Sequence, residues 1–194
     1  MRFHFGGKYT KEEDLKSKRD HHPKAIPFKE PGEKRFALLA NVLSITTAVI
    51  LGFVAYKRIG AIPDSSQMFW GFILSFVALL PHEFLHAICF KEDVYLYYSP
   101  TRLILFVHGT ESMSKARFVF LSLLPNIVFG FVPFIIFMIK PSLIWLAALG
   151  LMGIAMGFGD YINVFNALTQ MPNGAKTYLY GFHSYWYKED HKET

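Results

Sequence analysis

The chain of 194 residues is 52% hydrophobic and only 18% charged, and it carries a formal net charge of +5. Soluble domains contain about 25% charged residues, so this composition is typical of a membrane protein and excludes a disordered or collagen-like chain. A single Cys excludes a disulfide framework and a cysteine-based zinc site, and the basic residues separate long apolar runs, so we expect no nucleic-acid partner.

Four apolar runs follow one another along the chain, and about twenty residues of helix suffice to cross the hydrocarbon core of a bilayer. The first run carries no charge, whereas the second contains two His and one Glu and the fourth contains one Asp. This pattern predicts four transmembrane helices, and a soluble bundle of buried helices is the alternative. The runs cover residues 37–56, 68–90, 118–139 and 143–171.

The runs divide the chain into a cytoplasmic N-terminal arm (1–36), a four-helix membrane domain that carries the metal site (37–171) and a cytoplasmic C-terminal tail (172–194). In the loop after the second run, 93–98 and 102–108 are rich in β-branched and aromatic residues and flank a turn, which predicts a hairpin. The predicted fold class is therefore an all-α membrane protein, a four-transmembrane-helix bundle with a short cytoplasmic β-hairpin between helices 2 and 3.

The basic residues predict the orientation of these helices. Segments 1–36, 91–117 and 172–194 share one side of a four-span protein and hold seventeen of the twenty Lys and Arg residues. Because positive charge accumulates in cytoplasmic segments, we expect an integral membrane protein with both termini in the cytoplasm and the lipid bilayer as a partner.

The second run contains His82-Glu83-Phe84-Leu85-His86, the pattern H-E-x-x-H. Residues at i and i+4 share one helical face, so the imidazoles of His82 and His86 can bind one metal ion. Glu83 can then reach a metal-bound water without binding the metal. Ionisable residues at membrane depth are costly and usually functional, so we predict a Zn²⁺ site. A polar helix seam or a proton relay is the alternative.

A catalytic zinc ion usually has a third protein ligand, for which the best candidate is Asp160. It is the only charged residue of the fourth run, at a depth within about one helical turn of His82. Gly150, Gly153 and Gly157 precede it on one helical face, and we expect this smooth stripe to let Asp160 approach the helix that carries the histidines. A packing groove is the alternative.

Two asparagines are candidate groups that support a ligand or hold the substrate, and a polar contact that serves only helix packing is the alternative. Asn126 follows Pro125 in the third run, and Asn163 follows Asp160 in the fourth. His108 and Glu111 lie in the loop after the second run, where we expect them to be solvated.

Several motifs together resemble the small bacterial membrane family described as zincin peptidases. The first motif is the most specific, and the set covers roughly residues 68–180. A His-Glu-x-x-His helix paired with a membrane Asp is also similar to intramembrane zinc metalloproteases of the site-2 protease class. The motifs are Pro81-His82-Glu83-Phe84-Leu85-His86-Ala87, Ser114-Lys115-Ala116-Arg117-Phe118, Leu124-Pro125-Asn126, Gly159-Asp160-Tyr161 and Met171-Pro172-Asn173-Gly174-Ala175.

The resemblance implies a bacterial membrane enzyme with peptidase activity, and we expect it to hydrolyse membrane-associated peptides or proteins. It implies His82, His86 and Asp160 as zinc ligands and Glu83 as the catalytic base. The chain departs from the site-2 class in having Gly-Asp-Tyr where that class has Leu-Asp-Gly. We further expect the hairpin edge to hold an unwound substrate segment as an added strand. The alternatives are a non-catalytic metal-binding membrane protein and a small proton-coupled transporter.

Overall fold

A computed structural model describes residues 1–16, 19–61, 63–101 and 104–189. The helices are α1 (Glu33–Ile59), α2 (Ser65–Val77), α3 (Leu79–Ile88), α4 (Lys115–Asn126), α5 (Val132–Ile139), α6 (Ile144–Met156) and α7 (Phe158–Gln170). The strands are β1 (Arg2–Lys8), β2 (Ile26–Pro27), β3 (Asp93–Ser99), β4 (Ile104–His108), β5 (Met113–Ser114), β6 (Lys176–Tyr180) and β7 (His183–Tyr187). A π-helical turn (Ile127–Phe131) joins α4 to α5.

The second and fourth apolar runs each form two helices, where the sequence predicted one. A 40° bend separates α2 from α3, and a 48° bend separates α6 from α7. Pro81 explains the first bend, because it offers no amide hydrogen and its ring clashes with the carbonyl group of Val77, four residues earlier. The second bend lies at Gly157, which follows the last residue of α6.

Two continuous helical stretches of the described chain, Lys34–Ile59 and Lys115–Ile139, are long and apolar enough to cross a membrane. The number rises to as many as four if α2 with α3, and α6 with α7, each count as one bent span. The count of possible spans follows from the length and the apolar composition of the helices.

The predicted all-α four-helix bundle is wrong, because the described residues include seven strands that make up 18% of the structure. Sheet A has the strand order β1-β3-β4, and sheet B has the order β2-β7-β6-β5. The alternating Arg2-Phe3-His4-Phe5 segment forms β1, which pairs in parallel with β3. The C-terminal residues form the β6–β7 hairpin, whose turn contains Gly181 at φ 58°. The contribution of both terminal segments to the sheets overturns the predicted class.

The hairpin predicted between the second and third runs is confirmed. Strands β3 and β4 pair antiparallel, from Tyr95 opposite His108 to Ser99 opposite Ile104. Arg102, which the sequence placed at the start of the second strand, lies outside the described residues. Since β1 covers the other edge of β3, the edge of the hairpin that pairs with no other strand of the described residues is that of β4.

The chain divides into two compact units. The sheet unit comprises Met1–Glu30, Glu83–Leu121 and Asn163–Thr194, and the helical unit comprises Pro31–His82 and Ser122–Ile162. The division falls within α3, between His82 and Glu83. The sheet unit has three buried clusters, and the helical unit has one. The residues at the centres of these clusters are Val94, Tyr97 and Ala167 in the sheet unit and Phe137 in the helical unit.

Inside the helical unit, the glycine stripe packs against a different helix from the one predicted. A Cβ atom added at Gly150 would lie 2.5 Å from the backbone nitrogen of Phe134, and one added at Gly153 would overlap with the backbone of Phe129. The stripe therefore brings α6 against the π-helical turn and α5, rather than against the helix of the histidines. This close packing fixes α6 beside the helix that carries Asn126.

Candidate metal centre

Three ionisable side chains gather on α3. One ligand atom from each of His82, Glu83 and His86 lies within 4.8 Å of the others, so the group could hold a metal ion. The spacing of the two histidines places both imidazoles on one helical face, as the sequence predicted. His86 is buried, whereas His82 and Glu83 are half-buried.

A backbone carbonyl group orients one of these histidines. Nδ1 of His86 lies 2.9 Å from the carbonyl oxygen of Leu121, the last residue of the second segment of the sheet unit. A carbonyl oxygen can only accept, so Nδ1 carries the hydrogen and Nε2 keeps its lone pair. Metal-binding histidines are commonly oriented in this way, with one ring nitrogen bonded to the protein and the other directed at the metal.

Within the helical unit, Asp160 lies beside His82. The Oδ2 atom of Asp160, on the first turn of α7, is 3.5 Å from Nε2 of His82, and about four-fifths of each side chain is shielded from solvent. The sequence selected Asp160 from its charge and depth, and the structure brings it to the first histidine of the motif.

Asn126 fixes the carboxylate of Asp160 from the other side. Its Nδ2 group donates to Oδ2 of Asp160 over 2.7 Å and to the carbonyl oxygen of Ser122 over 3.0 Å, and the residue is fully buried. Gly157 leaves space for this amide, because a Cβ atom added there would overlap with Oδ1 of Asn126. Asn126 therefore contacts the candidate ligand Asp160 directly.

Within the sheet unit, Glu83 lies at the open edge of β4. The amide of Val107 donates to Oε2 of Glu83 over 2.9 Å. Amide groups alternate in direction along a strand, so this one points away from β3 and towards α3. The candidate base Glu83 is therefore a neighbour of an outward-pointing strand amide. This contact involves the backbone of Val107, so the pattern of side chains in the sequence does not predict it.

Asn163 has a different environment from Asn126. It lies half-buried on α7, and its side chain makes no hydrogen bond with another residue in the described ranges. Nothing in its contacts distinguishes it as a supporting group.

The two loop residues expected to be solvated are buried. His108 is 2% exposed and bonds through Nε2 to the carbonyl oxygen of Gly181 over 2.9 Å. Burial lowers the pKa of His108 below its usual value, although the bond to Gly181 opposes this shift.

Glu111 anchors the segment that follows α3. Its carboxylate accepts from the amide of Lys91 over 2.6 Å and from that of Glu92 over 3.1 Å, and it forms an ion pair with Arg117. Burial alone would raise the pKa of Glu111, but Arg117 and the two amides outweigh it and hold the pKa below its usual value. Arg117 also donates to the carbonyl oxygen of Cys89, so the pair fixes the chain just beyond His86.

The donor set fits a zinc ion. Imidazole nitrogens and a carboxylate oxygen are common zinc ligands. Zinc ligands are usually oriented by a hydrogen bond to a neighbouring group. His86 has such a bond to the carbonyl oxygen of Leu121, and Asp160 has one from the amide of Asn126.

A family model described as "Putative zincin peptidase" matches residues 75–176, slightly more than half of the chain. The matched segment runs from the last turn of α2 to the start of β6. It therefore contains every residue of the candidate metal centre. No protein with curated annotation and no solved structure matches the chain.

Proposed function

The chain belongs to the family described as putative zincin peptidases, and we propose its function from that membership and from the geometry of the site. The family implies a zinc-dependent peptidase. We propose that this chain is an intramembrane zinc metalloprotease of the site-2 protease type, and that it hydrolyses peptide bonds in membrane-associated peptides or proteins.

The observation that carries this proposal is the gathering of His82, Glu83 and His86 on one helix, with their ligand atoms within 4.8 Å. In the proposed site, His82, His86 and Asp160 would hold the zinc ion. The 3.5 Å separation of Asp160 and His82 supports Asp160 as the third ligand.

The residues of the site have different roles in the proposed hydrolysis. A zinc ion bound at this site would supply Lewis-acid chemistry, acidifying water and polarising the scissile carbonyl group. Glu83 takes the proton from the attacking water and then delivers it to the nitrogen of the departing amine. Asn126 keeps the carboxylate of Asp160 in place and takes no part in proton transfer.

The open edge of β4 supports a way of holding the substrate. A helix shields its scissile carbonyl groups in internal hydrogen bonds, so the substrate must be extended where it is cut. A substrate segment that adds to β4 as a further strand gains main-chain hydrogen bonds. The bond from Val107 to Glu83 supports this role, because it brings an outward strand amide next to the proposed base.

Leu105 offers a test of this edge. It lies two residues before Val107, so its amide also points away from β3. Leu105→Pro removes the backbone N–H that would donate to the substrate. Leu105→Ala shortens the same side chain but retains this N–H. We expect the proline variant to lose cleavage and to keep its zinc, while the alanine variant cleaves substantially faster. Equal cleavage by the two variants would contradict the strand model.

We also propose that the chain is an integral membrane protein of a bacterial cell membrane, with both termini in the cytoplasm. The apolar helices Lys34–Ile59 and Lys115–Ile139, the two bent helix pairs and the distribution of basic residues support this topology. Reporter fusions at each terminus test it, and a signal from outside the cytoplasm at either end would show it to be wrong.

Glu83→Gln tests the catalytic role. We expect this variant to retain zinc, measured by metal analysis of the purified protein, and to lose cleavage of membrane peptides. Glu92→Gln, at an exposed position after α3, is the matched control and should cleave like the wild type. A purely structural metal site predicts no difference between the variants, and a proton carrier would lose transport instead of hydrolysis.

A further inference from the structure

Sheet A has two chemically different faces. Neighbouring residues of a strand point to opposite faces, and residues in register on adjacent strands point to the same one. One face carries Arg2 and His4, and both of these side chains bond to Asp93 of β3. The opposite face carries Phe3 and Phe5. The first residues of the chain therefore form an amphipathic strand.

The apolar face is covered at its centre and exposed at its margin. Val94, in register with Phe3, is 0% exposed and packs with Ala87 and Phe90. Phe5 at the margin is 68% exposed. Three other aromatic side chains there are 40–47% exposed, and we call the four the aromatic rim. The aromatic rim consists of Phe3, Phe5, Phe84 and Tyr98.

The aromatic rim is held together by ring contacts. The rings of Phe3 and Phe84 meet edge to face with centroids 5.8 Å apart, and those of Phe5 and Tyr98 stack at 6.2 Å. The four rings thus join β1, β3 and α3 in one apolar surface. An exposed surface of this kind marks a contact with a membrane or with another protein.

The position of the aromatic rim favours a membrane. Phe84 and Ile88 lie one turn apart on α3, are exposed, and belong to a helix pair apolar enough to be a bent span. If α3 lies in the bilayer, as proposed above, lipid around it would meet Phe84, and Phe3 lies against that ring. The exposed Lys8 lies in register with Tyr98, where a basic residue suits the phosphate groups of lipids.

We propose that the aromatic rim lies in the boundary between the headgroups and acyl chains of the bilayer, so that β1 is a strand in contact with the membrane. This inference rests on the proposed membrane location. Phe and Tyr suit this zone, and Arg2 and His4 on the opposite face remain in water. The contact holds sheet A at the membrane surface through β1 and leaves the opposite edge, β4, open to a substrate segment.

Site-directed fluorescence quenching tests the proposal in the full chain, reconstituted in vesicles of phosphatidylcholine and phosphatidylglycerol. An environment-sensitive fluorophore is attached to Phe5→Cys in a Cys89→Ser background, and brominated phosphatidylcholine serves as the quencher. Arg2→Cys, whose native side chain is 79% exposed on the polar face, is the matched control. Tyr98→Cys gives a second reading of the rim.

We expect the probes at Phe5 and Tyr98 to lose most of their fluorescence and the probe at Arg2 to lose little. Equal quenching at Phe5 and Arg2, or none at either rim position, overturns the proposal. If the fluorescence of the probe at Phe5 is not quenched by brominated lipid but changes when the protein is diluted, the rim contacts a second copy of the chain. That result also overturns the proposal.

A probe on α1 separates this inference from the proposed membrane location. Val49 is 66% exposed on that helix, so Val49→Cys should be quenched if α1 lies in the bilayer. Quenching at Val49 without quenching at the rim refutes the strand contact alone. The absence of quenching at Val49 refutes the membrane location.

Discussion

Asn126 and Asp160 are joined by a hydrogen bond of 2.7 Å from Nδ2 to Oδ2, and the same carboxylate oxygen lies 3.5 Å from Nε2 of His82. The amide therefore fixes the direction in which Asp160 presents its oxygen. Because Asn126 is fully buried, its amide is shielded from bulk water, and it donates to Asp160 and to the carbonyl oxygen of Ser122.

Asn126→Ala should lower zinc affinity about 10- to 100-fold, the usual effect of removing a group that orients a metal ligand. Asn163→Ala removes the same kind of side chain at a position without a side-chain hydrogen bond to the described residues, and it should bind zinc like the wild type. Competition with a chromophoric chelator measures both variants. Equal affinities would show that the Asn126–Asp160 bond does not support the metal.

Gly157→Ala should displace Asn126, because the added Cβ atom would overlap with Oδ1 of that residue. Overpacking of this kind costs about 1–3 kcal/mol. At Gly159 nothing lies within 4 Å of an added Cβ atom, so Gly159→Ala should be neutral or should stabilise the helix. Thermal unfolding and zinc affinity of the two variants give the comparison. Equal losses at both positions would exclude the steric explanation.

Glu111→Ala should destabilise the protein by about 3 kcal/mol, because it leaves Arg117 largely buried without its partner. Two backbone amides, of Lys91 and Glu92, also lose their acceptor. Glu92→Ala removes an exposed carboxylate next to the same segment and should change the free energy of unfolding little. Denaturant titration measures both variants, and similar stability would mean that the ion pair contributes nothing.

Buried His108 should make stability depend on pH. Its pKa in the folded protein is lower than the ordinary value of 6.5, so below pH 6.5 the unfolded chain binds a proton that the folded chain does not. Stability from this group is complete above pH 6.5 and is lost as the pH falls towards the folded pKa. His108→Gln should flatten the dependence of the unfolding temperature on pH in this window. If the unfolding temperature of the variant changes with pH as steeply as that of the wild type, other groups cause the pH dependence.

The local features of the site could be predicted from the sequence. The spacing of His82 and His86 determines their common face, because helical periodicity acts over one turn. The charge and the depth of Asp160 predict that it lies near His82, and Pro81 is a sufficient signal for the bend between α2 and α3. The carbonyl group of Leu121 and the amide of Val107 belong to the backbone, so no side-chain pattern reveals their bonds to His86 and Glu83.

The sheets could not be predicted in the same way. The β3–β4 hairpin joins neighbouring segments and has a local signature. Strand β1 depends on β3, whose first residue, Asp93, pairs with Arg2. The short β2 depends on β7 near the other end of the chain. Pairings between such distant segments leave little trace in either segment alone, which is why the predicted class omitted them.

The pairing of β2 with β7 has a consequence for biosynthesis. Pro27 pairs with Tyr185, so sheet B is complete only when β7 has been made, more than 150 residues after β2. At roughly 5–20 residues per second, the ribosome needs on the order of ten to thirty seconds to proceed from one partner to the other. During that interval Ile26 and the neighbouring Phe28 have no native partner strand. The nascent N-terminal segment must therefore stay free of aggregation while the apolar helices are synthesised. The pairing of β2 with β7 can form only after these helices have been made.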